Sequence, residues 1–560
     1  MTERPITFDR GPDNRARLSP LEDLIDLDGK LLSMLSRRGK IVQRAAKGRQ
    51  VLDRELEKAL WAAFEHAART QSLDPRLARQ LFAMLNSFGL EVPEGRRSAD
   101  KPFSMVPRSE SADIDIPGPR SLVLTRMLAV MAAATSQALR LTGVVLNDPL
   151  VELVKALNQA GAHLSWTEDR LESQPEVKRK TSTREVEPTG PLAFEETLIF
   201  CGDEPFTLYA LIALALREAG RSKFAGGADL KLLDLRSLET PLLHLGARLA
   251  SMNPRSRGLP VRLESGGRMA SRIELGADTP PQFAQALALA AWSYPEGLRL
   301  ALATDPAAAA AQAKALDEAL EALNLCKIAA KRKGDEYIVP AGKPQVPYAP
   351  ELPMDIALST YLLTLPAFAG GVARLSGTFA APAALTKDFA ALGLNVELKD
   401  GAAILRHAQL KAGVTLGMGA DPDLLPLALA LAVKAGGGVV KLPAGLGAVE
   451  ERAMAFEFLD RLGAHTEERD GAIVISAPEE GERLTWEGVW TSPGPHMTLA
   501  LALFSFVRPG ISIDNPGGLA ALWPRFWACY NALPVVREVV HAPKEPENDD
   551  AKPKRRRVRV

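Results

Sequence analysis

Apolar residues recur every three or four positions through most of the first 90 residues, a spacing that predicts amphipathic helices. The first helix follows Ser19-Pro20-Leu21-Glu22, a capping box with proline at the first helical position. A second helical pattern runs from about Asp53 to Arg69, and a third begins at Asp74 and fades at Gly89. Residues 1–92 are therefore predicted to form a three-helix, all-α domain.

After a polar, breaker-rich stretch at 93–113, which predicts an interdomain linker, the pattern changes. Alanine- and leucine-rich helices now alternate with short strands, and one order recurs: a breaker and helix, a strand, a second helix and a hairpin. Six such units open at Ile116, Cys201, Asp278, Pro353, Asp421 and Ser492. Three units in each half predict two globules within 114–540, one at about 121–345 and the other at 114–120 plus 350–540.

Composition narrows the class of protein. Hydrophobic residues make up 46% and charged residues 24%, as in soluble globular proteins, and no long apolar run is free of proline, glycine or charge. Lys plus Arg (68) equals Asp plus Glu (68), so no overall field draws the chain to nucleic acid or lipid. We therefore expect neither nucleic-acid nor membrane partners, and any anion site must be built locally.

The cysteines and the chain ends carry little predicted chemistry. Cys201, Cys326 and Cys529 lie far apart in apolar stretches without metal-ligand spacing, which is typical of reduced core residues in a cytoplasmic protein. No metal or cofactor is predicted. The N-terminus has no apolar signal-peptide region, and the basic tail at 541–560 follows an acidic segment and is predicted to be a disordered, charged terminus.

Motifs in the six-unit region resemble, in order, those of the EPSP synthase and UDP-GlcNAc enolpyruvyl transferase family. PGPRSLVLTR at 117–126 resembles the family's PGSKSxxxR, PPQF at 280–283 its SSQF, and PMDIALSTYLL at 353–363 its GDASSASYFL. PDLLPLALALAVKAGG at 422–437 resembles PDxxxxLAxxAAxxxG. The resemblance covers most of residues 104–540 and implies a mixed α/β, two-globule fold of the inverted α/β-barrel type, built from six repeated units.

The resemblance also implies enolpyruvyl transfer from phosphoenolpyruvate to a hydroxyl of shikimate 3-phosphate, with no cofactor. Such a reaction needs cations for two phosphates and a carboxylate, and a general acid and base for the tetrahedral intermediate. By resemblance the catalytic residues are Asp423 as the base and Glu450 or Glu451 as the proton donor. The residues matched to substrate binding are Arg120, Ser121, Arg126, Gln282, Arg452 and, in place of a family arginine, His496.

Other family positions carry different side chains here, and most of the changes remove positive charge or hydroxyls. Where the family has a neutral, anion-binding turn, this chain has Gly202-Asp203-Glu204-Pro205. The two carboxylates of this turn are expected to repel phosphoenolpyruvate. Pro280 and Pro281 stand where the family has the paired serines that bind the substrate phosphate, and Ala521 stands where it has a lysine near the C-terminus. Each lost charged partner of a phosphate costs about 2–5 kcal/mol, so binding in the family's usual mode is not expected.

The N-terminal helices resemble the all-helical chorismate mutase domain. The stretch LEDLIDLDGKLLSMLSRRGKIVQRAAKGR resembles the first-helix pattern of that family, and the matched mutase-site residues are Arg38, Arg49, Arg54 and Glu55. The first-helix arginine is replaced at about Leu21, and the third helix ends before the family's serine and glutamine, so no useful mutase activity is expected. The alternative is a dimerisation or docking module whose basic residues form a solvated face.

Two functions remain open from the sequence. The first is an EPSP synthase of aromatic amino-acid biosynthesis that has moved its anion contacts to residues such as Arg236 and His496. The mutase-like neighbour selects this branch, because both domains belong to consecutive parts of one pathway. The second is a catalytically silent binding or scaffold protein of the same pathway. A homodimer through the N-terminal helices is compatible with either function.

Overall fold

The chain forms two compact units, Met1–Lys101 and Pro102–Val560. The structure is a computed structural model that describes scattered residues between 30 and 41, residues 82 and 85, and the ranges 54–70, 102–107, 111–174, 192–195, 197–253, 258–443, 449–476, 486 and 488–537. The predicted tail at 541–560 lies outside these residues.

The first unit is helical wherever it is described. Helix α1 spans Arg54–Thr70 and corresponds to the second predicted helix. Its Trp61 and Phe64 rings lie 5.3 and 5.5 Å from the ring of Phe82, which is helical and buried. Aromatic contacts of this kind are worth about 0.5–1.5 kcal/mol beyond the area they bury. The second and third predicted helical stretches therefore pack against each other.

The helices of the second unit alternate with its strands along the chain. They are α2 (Leu122–Thr135), α3 (Asp148–Gln159), α4 (Pro205–Ala215), α5 (Ala228–Leu232), α6 (Glu239–His244), α7 (Pro281–Ala290), α8 (Pro306–Leu325), α9 (Ile356–Ala369), α10 (Ala383–Leu392), α11 (Leu425–Lys434), α12 (Val449–Arg461), α13 (Pro495–Phe504), α14 (Gly517–Leu522) and α15 (Phe526–Ala532).

The strands of the second unit are short. They are β1 (Phe103–Met105), β2 (Ala112–Pro117), β3 (Leu139–Thr142), β4 (Leu164–Thr167), β5 (Arg170–Ser173), β6 (Leu198–Phe200), β7 (Gly220–Ala225), β8 (Ala247–Ser251), β9 (Val261–Ser265), β10 (Arg272–Glu274), β11 (Leu298–Ala301), β12 (Lys331–Lys333), β13 (Glu336–Val339), β14 (Gly371–Ser376), β15 (Val396–Lys399), β16 (Ala402–Arg406), β17 (Val414–Leu416), β18 (Gly437–Lys441), β19 (His465–Arg469), β20 (Ala472–Ser476), β21 (Ile511–Ile513) and β22 (Val535–Arg537).

One strand pattern recurs among the sheets of the described residues. In β6-β7-β9-β8, β10-β11-β13-β12 and β17-β18-β20-β19, a parallel pair is followed by an antiparallel hairpin. The five-stranded sheet β15-β16-β14-β2-β22 contains the same pattern, with β2 as the first strand. The remaining sheets are β3-β5-β4 and β1-β21. The predicted α/β fold of repeated units is confirmed.

Two hydrophobic cores divide the second unit into two globules. One core contains buried residues from Leu124 to Leu352, and we call that part the first globule. The other contains Met105, Ala112 and Ile114 together with residues from Met354 to Leu533, and forms the second globule. The alanine- and leucine-rich helices occupy the centres because they are apolar on every side, and Phe206–Ala215 of α4 is buried throughout.

Burial sets the chemistry of the three cysteines, two of which lie in the first core. Cys201 and Cys326 are buried in the first core, and burial raises the pKa of both thiols to about 12. Burial raises the pKa of the partly buried Cys529 to about 11. All three thiols are therefore protonated and unreactive at neutral pH.

The two chain segments that cross between the globules lie side by side. The Ser121 N–H donates to the Pro353 carbonyl at 2.9 Å, and the Asp355 N–H donates to the Pro119 carbonyl at 2.7 Å. Gly118 permits this approach, because a Cβ added there would lie 1.9 Å from the sulfur of the buried Met354. The paired crossings form a two-stranded connection between the globules, which we call the hinge.

Strand β1 lies inside the stretch 93–113 that the sequence predicts as a linker. It pairs antiparallel with β21, in the register Phe103 opposite Ile513, and Met105 is fully buried in the second core. Three residues in a polar context give too short an alternation to predict a strand. Among the described residues, no helix is long and apolar enough to cross a bilayer.

Candidate active site

Asp423 and His496 meet in the second globule, although they come from different units of the repeat. His496, in the first turn of α13, places Nδ1 3.4 Å from Oδ1 of Asp423. The imidazole stacks on the buried Tyr361 ring at a centroid distance of 6.0 Å, and the Tyr361 hydroxyl donates to the Asp423 carbonyl at 3.0 Å. The structure thus joins a predicted catalytic residue to a predicted substrate-binding residue.

The Asp423 carboxylate does not cap the helix that follows it. Helix α11 has no side-chain cap, and the N–H groups of Leu424 and Leu425 donate to the main-chain carbonyl of Asp421. The Asp421 carboxylate in turn accepts the Asp423 N–H at 3.0 Å. The Asp423 side chain is 55% exposed and accessible to a ligand. Its geometry is that of an oriented carboxylate beside an imidazole, which suits proton transfer.

Lys314, from the first globule, brings a positive charge to the carboxylates of Asp421 and Asp423. It lies on α8, and its Nζ is 2.9 Å from Oδ2 of Asp421. Burial lowers the pKa of Lys314, but the hydrogen bond and charge of Asp421, with the charges of Glu318 and Asp423, raise it above its usual value. Lys314 was not predicted from the sequence, since a lysine in an alanine-rich helix carries no signal of a distant partner.

Glu318 continues this charged row one turn further along α8. Its Oε2 accepts a hydrogen bond from Nε2 of the buried Gln285 at 2.8 Å. Burial raises the pKa of Glu318, and the charge of Lys314, the Gln285 hydrogen bond and the charge of Arg126 partly oppose this. The glutamine of the PPQF motif, Gln282, is exposed at the start of α7. The glutamine of α7 that reaches Glu318 is therefore Gln285, and the predicted substrate-binding role of Gln282 stays a prediction.

Arg126 is paired with a carboxylate of the chain itself. Its Nη1 is 2.9 Å from Oε1 of Glu204, and its guanidinium lies 5.2 Å from the centre of the Phe206 ring. The other Glu204 oxygen accepts the N–H groups of Phe206 and Thr207, at 2.6 and 3.3 Å, and so caps α4. A helix N-terminus favours an anion, and here Glu204 supplies one.

The rest of this turn is also acidic. Oε2 of Glu152 accepts the Asp203 N–H at 2.9 Å, and Oδ1 of Asp203 accepts the Asp229 N–H at 3.0 Å. Burial raises the pKa of Glu152; the Asp203 N–H hydrogen bond opposes this, and the nearby charges of Asp203, Asp148 and Glu204 add to the rise. Gly202 adopts a φ of 70°, and a Cβ there would lie 2.2 Å from Glu152 Oε2. The carboxylates expected to repel an anion are held in place by these contacts.

The predicted binding residues Arg120 and Ser121 belong to the hinge. Arg120 Nη1 donates to the Leu352 carbonyl at 3.0 Å, and Ser121 Oγ caps α2 by accepting the Leu124 N–H at 3.3 Å. Beside them, Asp355 accepts the N–H of Leu358 through Oδ1 and the N–H of Leu122 through Oδ2, at 3.1 and 3.2 Å. One carboxylate thus caps α9 of the second globule and α2 of the first.

The remaining predicted residues form ion pairs with other parts of the chain or have side chains outside the described set. Arg452 pairs with Glu468 on β19 at 2.8 Å. Glu450 and Glu451 lie in the first turn of α12, but their side chains are not among the described ones. Arg236, a suggested replacement for a family arginine, is half exposed and holds the adjacent Asp234 in a two-point ion pair.

The mutase-like residues are only partly described. Arg38 donates through Nη1 to the carbonyl of Leu85, on the third helical stretch, and burial lowers the pKa of its guanidinium. Arg54 and Glu55 begin α1, but their side chains are outside the described set, as is Arg49 altogether. The one described arginine of this set therefore binds a main-chain carbonyl.

Comparison with known proteins assigns the chain to a family. The family described as EPSP synthase (3-phosphoshikimate 1-carboxyvinyltransferase) matches residues 173–529. The 3-phosphoshikimate 1-carboxyvinyltransferase of Methanopyrus kandleri is 25% identical over 346 residues, which cover 59% of this chain and 77% of the relative. The enzyme of that name from Photobacterium damsela subsp. piscicida is 21% identical over 429 residues, covering 74% and 95%.

Solved structures agree at the level of the fold. EPSP synthase from Acinetobacter baumannii superposes with a TM-score of 0.61 at 16% identity, over 77% of this chain and 98% of that chain. The enolpyruvyl transferase NikO from Streptomyces tendae superposes with a TM-score of 0.56 at 12% identity, over 75% and 94%. Since the family match spans more than half of the sequence, this chain belongs to the EPSP synthase family, and the solved structures share its fold.

Proposed function

We propose that this protein transfers the enolpyruvyl group of phosphoenolpyruvate to shikimate 3-phosphate, yielding EPSP and phosphate in aromatic amino-acid biosynthesis. Family membership supports the reaction class. The observation that carries the proposal is the Asp423–His496 pair, which is assembled from two units of the repeat and leaves the Asp423 carboxylate accessible. A carboxylate that caps no helix and is oriented by an imidazole has the properties of a general base.

In this proposal the residues of the second globule do the proton chemistry. Asp423 accepts the proton of the attacking hydroxyl, and His496 orients Asp423 and faces the developing negative charge. Lys314 contributes a cation from the first globule, in place of an arginine or lysine that the family supplies elsewhere. Glu450 or Glu451 remains the proposed proton donor to the enolpyruvyl group.

A second candidate is a catalytically silent binding or scaffold protein of the same pathway. The observation that favours it is Glu204, which occupies the N-terminus of α4 and neutralises Arg126. An incoming phosphoenolpyruvate would have to displace a carboxylate that is tethered to the site. Arg120 also donates to the Leu352 carbonyl, and Arg452 pairs with Glu468.

Calorimetry separates the two candidates. The full-length chain is titrated with phosphoenolpyruvate at millimolar concentration, with and without shikimate 3-phosphate, and the same gene is tested for growth of a strain that lacks its EPSP synthase. Heat of binding together with growth supports the transferase. Silence in both assays, from a chain that is folded by circular dichroism, leaves the scaffold.

A further inference from the structure

A cavity lies in the first globule where helices α2, α4 and α7 end, and we call it the distal pocket. Its volume of about 590 Å³ is within the range of about 300–1,000 Å³ that is usual for small-molecule sites. Its wall includes Thr135 at the end of α2, Arg217 shortly after α4 and Trp292 shortly after α7. Glu204, in the candidate active site, caps the opposite end of α4, which is 11 residues long. At a rise of about 1.5 Å per residue, about 15–20 Å separate the two places.

Hydrogen bonds hold the walls of the distal pocket in place. The buried Tyr294 donates its hydroxyl proton to the Ala213 carbonyl at 2.9 Å, which ties the turn after α7 to the end of α4. Gln137 donates to the Pro344 carbonyl and accepts the Val346 N–H, both at 2.8 Å. The pocket is therefore formed before any ligand binds, as small-molecule sites usually are.

Arg217 brings a buried positive charge to this pocket, since its side chain is only 9% exposed. Its Nη2 donates to the Leu192 carbonyl, its Nε lies 3.3 Å from Oε1 of Glu218, and its guanidinium lies 6.0 Å from the centre of the Phe194 ring. Its Nη1 donates no hydrogen bond to any described residue. Burial lowers the pKa of Arg217, and Glu218 opposes this. Because Glu218 is 62% exposed and screened by solvent, it compensates the buried charge only in part.

The distal pocket carries charges of both signs. The exposed Lys343 adds a second cation to its wall, and Glu218 supplies a carboxylate. Trp292 adds an aromatic wall and a donor, because its Nε1 is buried and has no acceptor within the described part of the chain. Buried donors without a partner are rare, and a ligand oxygen can satisfy this one. Glu218 would repel a simple anion, and Arg217 and Lys343 would repel a simple cation.

We propose that the distal pocket binds a free α-amino acid with an apolar side chain. The carboxylate of the amino acid accepts hydrogen bonds from Arg217 and Lys343, and its ammonium group donates to Glu218. Its apolar side chain packs against Trp292. A zwitterion matches both signs of charge in the pocket, whereas phosphoenolpyruvate and shikimate 3-phosphate carry only negative charge. The site lies outside the candidate active site and does not rest on the proposed function.

Ligand-observed NMR and calorimetry on the full-length chain test this proposal. The probes are L-leucine, L-methionine, L-phenylalanine and L-tryptophan, with glycine as the probe that lacks an apolar side chain. We expect at least one of the apolar probes to bind with a dissociation constant below about 2 mM, and glycine to bind at least about fivefold more weakly. The N-acetyl derivative of the tightest probe lacks the ammonium group, and its carboxamide lacks the carboxylate. Each derivative should bind at least about tenfold more weakly than the amino acid itself.

Variants locate the bound probe. Arg217→Gln should weaken binding about thirtyfold or more, because a buried charged partner is lost. Lys343→Met and Glu218→Gln, at exposed positions, should weaken it about two- to fivefold each. Lys155→Met on α3 and Glu321→Gln on α8 are the matched controls, since both positions are exposed and neither lines the pocket. They should leave the affinity unchanged.

Absence of binding by every apolar probe at about 10 mM, to a chain that is folded by circular dichroism, overturns the proposal. So does an affinity that is unchanged in both Lys343→Met and Glu218→Gln, or one that Asp423→Asn weakens, since the probe would then occupy the candidate active site. The comparison of probe derivatives uses the wild-type chain, and so remains decisive if Arg217→Gln fails to fold. Failure to form EPSP would contradict the proposed transferase and leave the amino-acid affinity as evidence on the distal pocket.

Discussion

At the scale of single residues, the candidate site is described by the ion-pair partner of each charged side chain. Arg126 and Lys314 hold carboxylates of the same chain, whereas the Asp423 carboxylate is accessible beside His496. To bind an anion, Arg126 has to give up Glu204 and Lys314 has to give up Asp421. The net gain from each contact is therefore smaller than for a free cation.

Replacement of Glu204 by glutamine should strengthen anion binding. The amide oxygen can still accept the Phe206 N–H, but the negative charge beside Arg126 is removed. We expect the dissociation constant for phosphoenolpyruvate, measured by calorimetry, to fall about three- to tenfold. Glu321→Gln, at an exposed position on α8, is the matched control. No change in Glu204→Gln would mean that the anion does not bind at Arg126.

Replacement of Asp423 by asparagine should lower turnover far more than it weakens substrate binding, because a general base acts in the transition state. Steady-state kinetics should give a kcat reduced about 10²- to 10⁴-fold, with KM changed much less. Asp335→Asn, in the turn between β12 and β13, serves as the control. Asp423 is not the base if kcat is retained while KM rises.

Asp355 should make the stability of the hinge depend on pH. Burial raises the pKa of this carboxyl, although the N–H groups of Leu358 and Leu122 and the charge of His496 oppose the rise. A raised pKa means that the folded state favours the protonated acid. The contribution of Asp355 is then complete below the unfolded pKa of about 3.9 and is lost as pH rises through the folded value.

Urea unfolding of the wild type and of Asp355→Asn from pH 4 to 8 checks this expectation. The stability of the wild type relative to the variant should decline as pH rises through the folded pKa and then level off. A difference that grows with pH would show that the two N–H hydrogen bonds outweigh burial and hold the pKa of Asp355 down.

At the scale of elements, the helices and strands that follow from a local pattern of apolar and polar residues were predictable from the sequence. The repeated units were recognisable because each opens with a breaker and an alanine- and leucine-rich helix, and the sheets repeat in the same order. Strand β1 was missed because Phe103–Met105 is too short to show alternation in a polar stretch. Pairs such as Lys314–Asp421, which are 107 residues apart, depend on how the globules meet. No local pattern encodes them.

The acidic turn shows a mixed outcome at the same scale. The sequence indicated that Asp203 and Glu204 disfavour an anion at this position. It did not show that Glu204 caps α4 and pairs with Arg126, because the partner comes from α2. The negative charge of Glu204 could be predicted from the sequence, but its ion-pair partner Arg126 could not.

The N-terminal helices should give the full-length chain no useful chorismate mutase activity. Leu21 stands where the family has an arginine, and Arg38 already binds the Leu85 carbonyl, so a dicarboxylate would lose charged contacts. Loss of chorismate absorbance is the measurement. Turnover at an ordinary enzymatic rate that Arg38→Ala abolishes would contradict the prediction.

At the scale of the whole molecule, contacts at the paired crossings and at the Lys314–Asp421 pair join the two globules. Asp355 joins helix ends of both globules at the hinge, and the Lys314–Asp421 pair joins them across the cleft. In the proposed transferase, the two globules close around the substrates at these contacts. Movements of this kind commonly assemble a catalytic site and exclude water from it.

Formation of EPSP by the purified protein decides whether it is the proposed transferase. The purified full-length chain is incubated with phosphoenolpyruvate and shikimate 3-phosphate, and EPSP and phosphate are quantified by mass spectrometry and a phosphate assay. The account predicts equal amounts of both products, lost in Asp423→Asn and retained in Asp335→Asn. No EPSP from the folded protein at millimolar concentrations of both substrates would contradict it.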